Sequence, residues 1–235
     1  SARLTAPDQT PGRAGGCLSF HNEPETDWSL RKNGDWAQSI LAAWQTRHGP
    51  RAAEVPLVIA GEELADDRKS RDSVDPSRPD NIVARYRQAT EADIDRAVSA
   101  ARDDADGWRR GTPQDRLETL HRVAEELAAA RGELMGAMLA EGGKVLTESD
   151  PEVSEAIDFC RFYAESAQFF YDGARANLPL ATTRRTDSSV RPSSSSHNDT
   201  DGQNCPSYLT LRPRPKGVAV VISPWNFPLA IPCGG

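Results

Sequence analysis

Residues 218–223, Val-Ala-Val-Val-Ile-Ser, constrain the fold more than any other stretch of this chain. A continuous run of β-branched and apolar residues suits a strand buried on both faces of a parallel sheet, and so predicts an α/β architecture. The run leads directly into Pro224-Trp225-Asn226-Phe227-Pro228, at the carboxyl end of the expected strand, where open α/β sheets place their ligands. Pro224 and Pro228 restrict the residues before them, so the Asn226 amide is expected to be held in one direction. A fixed N–H suits a developing oxyanion, because a donor that must reorganise during reaction loses much of its value. Asn226 is therefore the candidate catalytic residue.

Upstream the pattern is mostly helical. Trp36, Ile40, Leu41 and Trp44 fall at helical spacing and predict a short amphipathic helix over 34–45. Residues 55–64 and 72–89 resemble strands joined by turn-rich loops. Thr90, with Asp93 three positions on, reads as the N-cap of a helix with Ile94, Ala97, Val98, Ala101 and Trp108 on one face, its end marked by Gly107 and Gly111. Thr112-Pro113 opens the next, with Leu117, Leu120, Val123, Ala124 and Leu127 as its stripe, and helical character runs on to a stop at Gly142-Gly143. Asp150-Pro151 opens a further helix with Val153, Ile157, Cys160 and Ala164 on one face, to about Phe170.

The remaining segments are polar. Residues 1–17 read as a flexible lead-in, with order beginning near Leu18, and the serine-rich stretch 181–206 cannot bury enough apolar area to order itself. Tyr208 to Arg214 alternates like an edge strand, which Pro213 and Pro215 limit to pairing on one side.

Composition excludes several classes. The 235 residues carry 35 acidic and 28 basic side chains, a net −7, without a basic block to track a phosphate backbone, so no nucleic-acid partner is expected. No run approaches the ~18–20 apolar residues of a membrane span, and the first residues lack the apolar core of a secretion signal, so the expected compartment is the cytoplasm. Cys17, Cys160, Cys205 and Cys233 form no CxxC pair and His21, His48, His121 and His197 are scattered. No metal site is expected, and all four cysteines read as thiols, with burial the plain reading for Cys160 and Cys233.

The segment 217–231, GVAVVISPWNFPLAI, resembles the cofactor-strand signature of the aldehyde dehydrogenase superfamily. The resemblance implies a Rossmann-type cofactor domain, incomplete in this chain, with a helical layer and a β flap from Tyr208 to Arg214 that in relatives joins a dimer interface. It implies that Asn226 donates to the oxyanion of the thiohemiacetal, that Ile222, Ser223, Pro224 and Trp225 line the cofactor cleft, and that Phe227 faces the aldehyde channel. FHNEPETDWSL at 20–30, AEGGKVLTESDPEVSEAIDFCRFYAESA at 140–167 and PKGVAVVISPWNFPLAI at 215–231 are similar, in that order, to the glutamate-semialdehyde (pyrroline-carboxylate) dehydrogenases, above all to the dehydrogenase half of bifunctional proline-utilisation enzymes. Residues 18–180 would then form the helical and strand part of the cofactor-binding domain, 181–206 an insertion relative to the family, and 207–235 the flap strand and first cofactor-sheet strand.

Under this resemblance the substrate is a small aldehyde, the cofactor NAD with NADP as the alternative, and the parent a homo-oligomer, in one form fused to proline dehydrogenase. Glu155 sits where relatives carry an acidic residue near the substrate end of the helix; a solvated helix charge is the plain alternative. Lys144 suggests anion binding or, more simply, a surface lysine that favours a helix dipole. Arg161 and Tyr163 read as packing or surface groups. The nucleophilic cysteine, the water-activating glutamate and the phosphate turn are expected beyond Gly235, so residues 1–235 are expected to be inactive alone, and poorly folded or associated with other chains. Two rival readings remain: another semialdehyde or aldehyde dehydrogenase, and a non-catalytic interaction chain that keeps the scaffold.

Overall fold

The computed structural model describes residues 20–65, 68–175 and 217–235. The expected lead-in, the serine-rich insertion and the flap strand lie outside the described residues.

Helix α1, Arg31–Trp44, starts three residues earlier than the periodicity predicts and turns Trp36, Ile40 and Trp44 towards α4, Arg131–Gly142. The two helices meet over glycine. A Cβ built on Gly136 would stand 2.0 Å from Trp44 Nε1, so only hydrogen there admits the indole, and one on Gly132 would stand a tight 3.3 Å from Trp36 Cζ2.

The strands β1, Ala53–Val55, β2, Leu57–Ile59, β3, Glu62–Leu64, β4, Ser70–Asp75, and β5, Arg78–Arg87, occupy the two stretches read as extended. Ala60 and Gly61, both at positive φ (53° and 79°), make the two-residue turn that joins β2 to β3. β4 and β5 pair antiparallel with irregular register between Ser73 and Asp75, and β1 lies parallel on the other side of β5 with Ala53 opposite Ala84. The buried Asp75 carboxylate closes the β4–β5 turn by accepting the Ser77 N–H at 2.8 Å and the Arg78 side chain at 2.8 Å.

Helices α2, Glu91–Asp103, and α3, Pro113–Ala129, begin as their capping residues predict. Thr90 accepts from the Asp93 N–H and Asp93 returns the bond to the Thr90 N–H; Thr112 and Asp115 repeat the arrangement, with Pro113 in the first turn. Ala130, at φ −86° and ψ 4°, divides the expected continuous helix into α3 and α4, and Gly143 at φ 68° ends α4. Helix α5, Leu146–Arg175, begins a turn earlier than Asp150-Pro151 predicts and carries Pro151 inside it. Proline has no N–H for the Thr147 carbonyl, so this turn loses one ladder bond.

The core gathers where α3, α4 and α5 meet: Ala124, Met135, Met138, Val153, Ile157 and Cys160 pack together with Trp28, Trp36, Leu127, Leu146, Leu229 and Cys233 at its margin. Val153, Ile157, Cys160 and Ala164 are all buried, as the spacing predicts.

Two expectations are corrected. Ile94 and Val98 on α2 are exposed, because the described residues pack α2 only lightly, with the Arg68–Asp93 pair and the Arg96–Glu62 pair tying it to neighbouring loop and strand; Trp108 is exposed too, outside the helix and beneath the Arg116 guanidinium. The run 218–223 is not a strand. It has no regular structure and no ladder partner among the described residues, with Val220 and Ile222 78% and 85% exposed. Every other described strand lies within residues 53–87 and none runs alongside it. A strand without neighbours has neither ladder bonds nor a face to bury.

Candidate functional site at the 224–228 turn

The turn is seated on the first half of α5. That half places Ser149, Asp150, Glu152 and Ser154 on its buried side, among the apolar residues of the core. A buried carboxylate or hydroxyl must find partners, since leaving one unpaired costs about 1–3 kcal/mol or more. Each of these finds them.

Glu152 faces the turn. Its Oε1 accepts the backbone N–H groups of Leu229 at 2.8 Å and Ala230 at 3.2 Å, which begin the short helix α6, Ala230–Gly234. Its Oε2 accepts Lys144 Nζ. Lys144 follows the left-handed Gly143, and its own N–H closes α4 by bonding the Met138 carbonyl at 3.2 Å, which carries its side chain to the start of α5. From there Nζ also donates to the Asn226 carbonyl at 3.0 Å and lies 4.6 Å from the centre of the Phe227 ring. The pair is largely dry, with side chains 12% and 1% exposed, so solvent screens it little. One lysine and one glutamate thus hold the backbone of the turn at Asn226, Leu229 and Ala230.

Asp150 faces the opposite way, to residues 20–28, which run along α5 as a strap. Its carboxylate accepts the Thr26 N–H at 2.6 Å, the Thr26 hydroxyl at 2.8 Å and Arg131 Nη1 at 2.8 Å. Arg131 continues to Ser154 Oγ and Glu23, and Arg161 donates to the other oxygen of Glu23 at 2.6 Å. Asp158 completes the fastening by accepting the Glu23 N–H and the Asn22 amide, each at 2.7 Å.

Strap, α5 and turn enclose an open cleft of about 410 Å³, whose lining includes Glu23, Glu25, Glu148, Glu155, Asp158 and Phe227. Glu23 is neutralised by two arginines, but Glu25, Glu148 and Glu155 have no ion pair among the described residues. The cleft is therefore net acidic and suits a small ligand that carries an ammonium group.

Glu155 and Phe227, read from the sequence as substrate residues, line this one cleft although they are far apart in the chain. Asn226 stands at its edge: its backbone carbonyl is fixed by Lys144, while its exposed side-chain amide makes no hydrogen bond among the described residues. Ile222, Ser223, Pro224 and Trp225 are adjacent and exposed, with Trp225 at 80%. Neither sequence reading of Lys144 describes its position, since it is a partly buried cross-link between α5 and the turn. Arg161 is a tether for the strap. Asp150 was read only as the opening of a helix and Glu152 was not singled out; the available signal was two carboxylates at positions where the apolar period of α5 demands burial.

Residues 64–235 match the model of the aldehyde dehydrogenase family. The 1-pyrroline-5-carboxylate dehydrogenase of Staphylococcus saprophyticus is 31% identical over 217 residues, covering 92% of this chain and 37% of that protein. The crystal structure of 1-pyrroline-5-carboxylate dehydrogenase from Thermus with bound NAD aligns with a TM-score of 0.66 at 25% identity, over 92% of this chain and 36% of that one. Proline utilization A from Bdellovibrio bacteriovorus aligns with a TM-score of 0.60 at 29% identity, over 67% of this chain and 16% of that one. The chain spans 37% of the length of the Staphylococcus relative.

Proposed function

Because the chain belongs to the aldehyde dehydrogenase family, we propose that it supplies the amino-terminal part of an NAD-dependent dehydrogenase that oxidises L-glutamate γ-semialdehyde to glutamate in proline catabolism. The observation that carries this reading is the turn itself. Its backbone is pinned by Lys144 and Glu152 while the Asn226 amide stays unengaged beside an acidic cleft. A donor fixed through its backbone is ready before negative charge develops on the aldehyde oxygen, so little reorganisation is needed during reaction.

Glu155 and the unpaired Glu25 and Glu148 would receive the α-ammonium group of the amino-acid aldehyde, with Phe227 against its methylene chain. A plain aliphatic aldehyde has no group that uses this acidic wall, which favours the semialdehyde over the alternative substrate. For the cofactor, the exposed faces of Ile222 and Trp225 fit a planar ring laid on them, and Ser223 and Pro224 continue the same edge. NAD would supply the hydride acceptor. The NAD-bound Thermus structure supports NAD over NADP, and the proline utilization A structure supports a proline-oxidising partner domain in the parent; a homo-oligomeric parent and a cytoplasmic location are proposed with them.

Oxidation of glutamate semialdehyde by the native polypeptide that carries this chain, followed as NADH formation, tests the proposal. Turnover is expected to exceed that with an aliphatic aldehyde of equal length, and Asn226→Ala is expected to lower kcat by about 10²–10³-fold with little change in the affinity for NAD. Residues 1–235 alone are expected to give no turnover. Equal rates with both aldehydes, or full activity of the Asn226→Ala enzyme, would overturn the assignment.

A further inference from the structure

The sulfurs of Cys160 and Cys233 lie 3.4 Å apart, although the residues are 73 positions apart in the chain. Cys160 sits on the buried face of α5 at 4% exposure, at the edge of the core. Cys233 belongs to α6, is half-buried and so open to small solutes, and its Sγ also lies 3.5 Å from the Ala156 carbonyl on α5. The sequence reading took both as packing thiols. Two thiols packed side by side do more than fill space.

A disulfide needs its sulfurs about 2.05 Å apart, so the pair must close by roughly 1.4 Å. The short α6 is the element able to make that movement: it has five residues, and Glu152 anchors it at its first N–H group. The two thiols also differ in reactivity. The hydrogen bond between the two sulfurs lowers the Cys233 pKa to about 7, against the opposing effect of burial. The same hydrogen bond, then burial, raises Cys160 far above an ordinary thiol. Cys233 is thereby the attacking thiolate and Cys160 the resolving partner.

We propose that Cys160 and Cys233 are a redox modification site, forming a reversible intrachain disulfide with a peroxide and so stapling α6 and the 224–228 turn to α5. Cys233 thiolate attacks one peroxide oxygen; an S–O bond forms, the O–O bond breaks, and hydroxide leaves to become water. Cys160 then attacks the sulfenic sulfur; the S–S bond forms, the S–O bond breaks, and the departing hydroxide takes the Cys160 proton. Two thiols lose two electrons in total, and one peroxide becomes two waters. The inference does not depend on the catalytic role given to Asn226. The staple adds a covalent tie beside the non-covalent clasp of Lys144 and Glu152 on the same turn.

The test treats the full chain with a stoichiometric amount of hydrogen peroxide and digests it with trypsin without reduction. Cleavage after Lys144, Arg161 and Lys216 puts Cys160 and Cys233 on different peptides, 145–161 and 217–235. The expected result is one cross-linked species joining these two peptides, from a monomer two hydrogens lighter, which a dithiol reductant separates. In a Cys160→Ser chain, Cys233 is expected to stop at a sulfenic acid trapped by dimedone. In a Cys233→Ser chain, Cys160 is expected to remain a thiol. Cross-links that involve Cys17 or Cys205 instead, covalent dimers, or persistence of both thiols in the unmodified sequence would each overturn the proposal, and none of these readouts requires a variant to fold.

Discussion

Helix α5 and the run 218–225 both carry apolar patterns legible in the sequence, and the structure treats them oppositely. Val153 and Ile157 on α5 are 0% exposed, whereas Val220, Ile222 and Trp225 are 78–85% exposed. The difference lies in what each element needs from elsewhere. A helix satisfies its backbone groups internally and requires only a surface for one stripe, which α3 and α4 provide. A strand requires neighbours for its ladder and cover for its faces, and no described strand lies alongside 218–223. The turn at 224–228 joins the two regimes: its backbone is fastened to the finished part of the molecule while its apolar lead-in remains open.

The sharpest way to break the comparison is to remove the buried charge that secures α5. In Asp150→Ala the Arg131 guanidinium, 13% exposed, loses the nearer of its two carboxylates and keeps only Glu23, and the strap loses both bonds at Thr26. Stripping one partner from a buried pair costs about 3–5 kcal/mol, so the urea midpoint is expected to fall by that equivalent. A loss below 1 kcal/mol would mean that the strap does not hold in solution and that α5 is secured by its apolar face alone. Ile157→Ala tests that face directly. It deletes a fully buried side chain at the centre of the core and is expected to cost about 2–5 kcal/mol by the same measurement.

A smaller effect concerns helix ends, which neither packing nor neighbours decide. Thr112→Ala removes the side-chain cap of α3 and is expected to cost about 1 kcal/mol in thermal or urea unfolding. The returning Asp115 carboxylate is held below its ordinary value of 3.8 by the Thr112 N–H first and the Thr112 hydroxyl second. A carboxylate with a depressed folded pKa contributes stability above its ordinary value and loses that contribution as the pH falls through the folded one. The difference between Thr112→Ala and the parent chain is therefore expected to be complete at neutral pH and to shrink below about pH 4. A difference that grew on acidification would show that the cap acts in another way.

These ends were legible because capping is local. Thr90, Thr112 and Gly143 each act within a few residues of where the sequence places them. The apolar face of α5 was legible for a similar reason, since its period needs no knowledge of the partner. What stayed hidden is non-local. Asp150 and Glu152 look like ordinary helix carboxylates until Thr26, Arg131, Lys144 and Leu229 arrive from elsewhere in the chain. The same holds for the Cys160–Cys233 contact and for the cleft shared by Glu155 and Phe227. On α2 the reverse holds: the sequence places Ile94 and Val98 on one apolar face with no partner specified, and the described residues leave that face open.

The smallest expected effect completes the comparison. Ile222→Ala removes the same atoms as Ile157→Ala, but from a side chain that is 85% exposed. Nothing is uncovered and no cavity opens, so the change is expected to stay within about 0.5 kcal/mol of the parent in dilute solution. A near-zero cost at 222 beside several kcal/mol at 157 would establish that stability in this chain resides in the α3–α5 core. A cost at 222 approaching that at 157 would require the apolar run to be covered. No described strand is available to it, so the cover would come from residues outside the described ones or from another polypeptide, and only in the second case would the cost rise with protein concentration. Unfolding midpoints of both variants over a hundredfold concentration range separate the two cases.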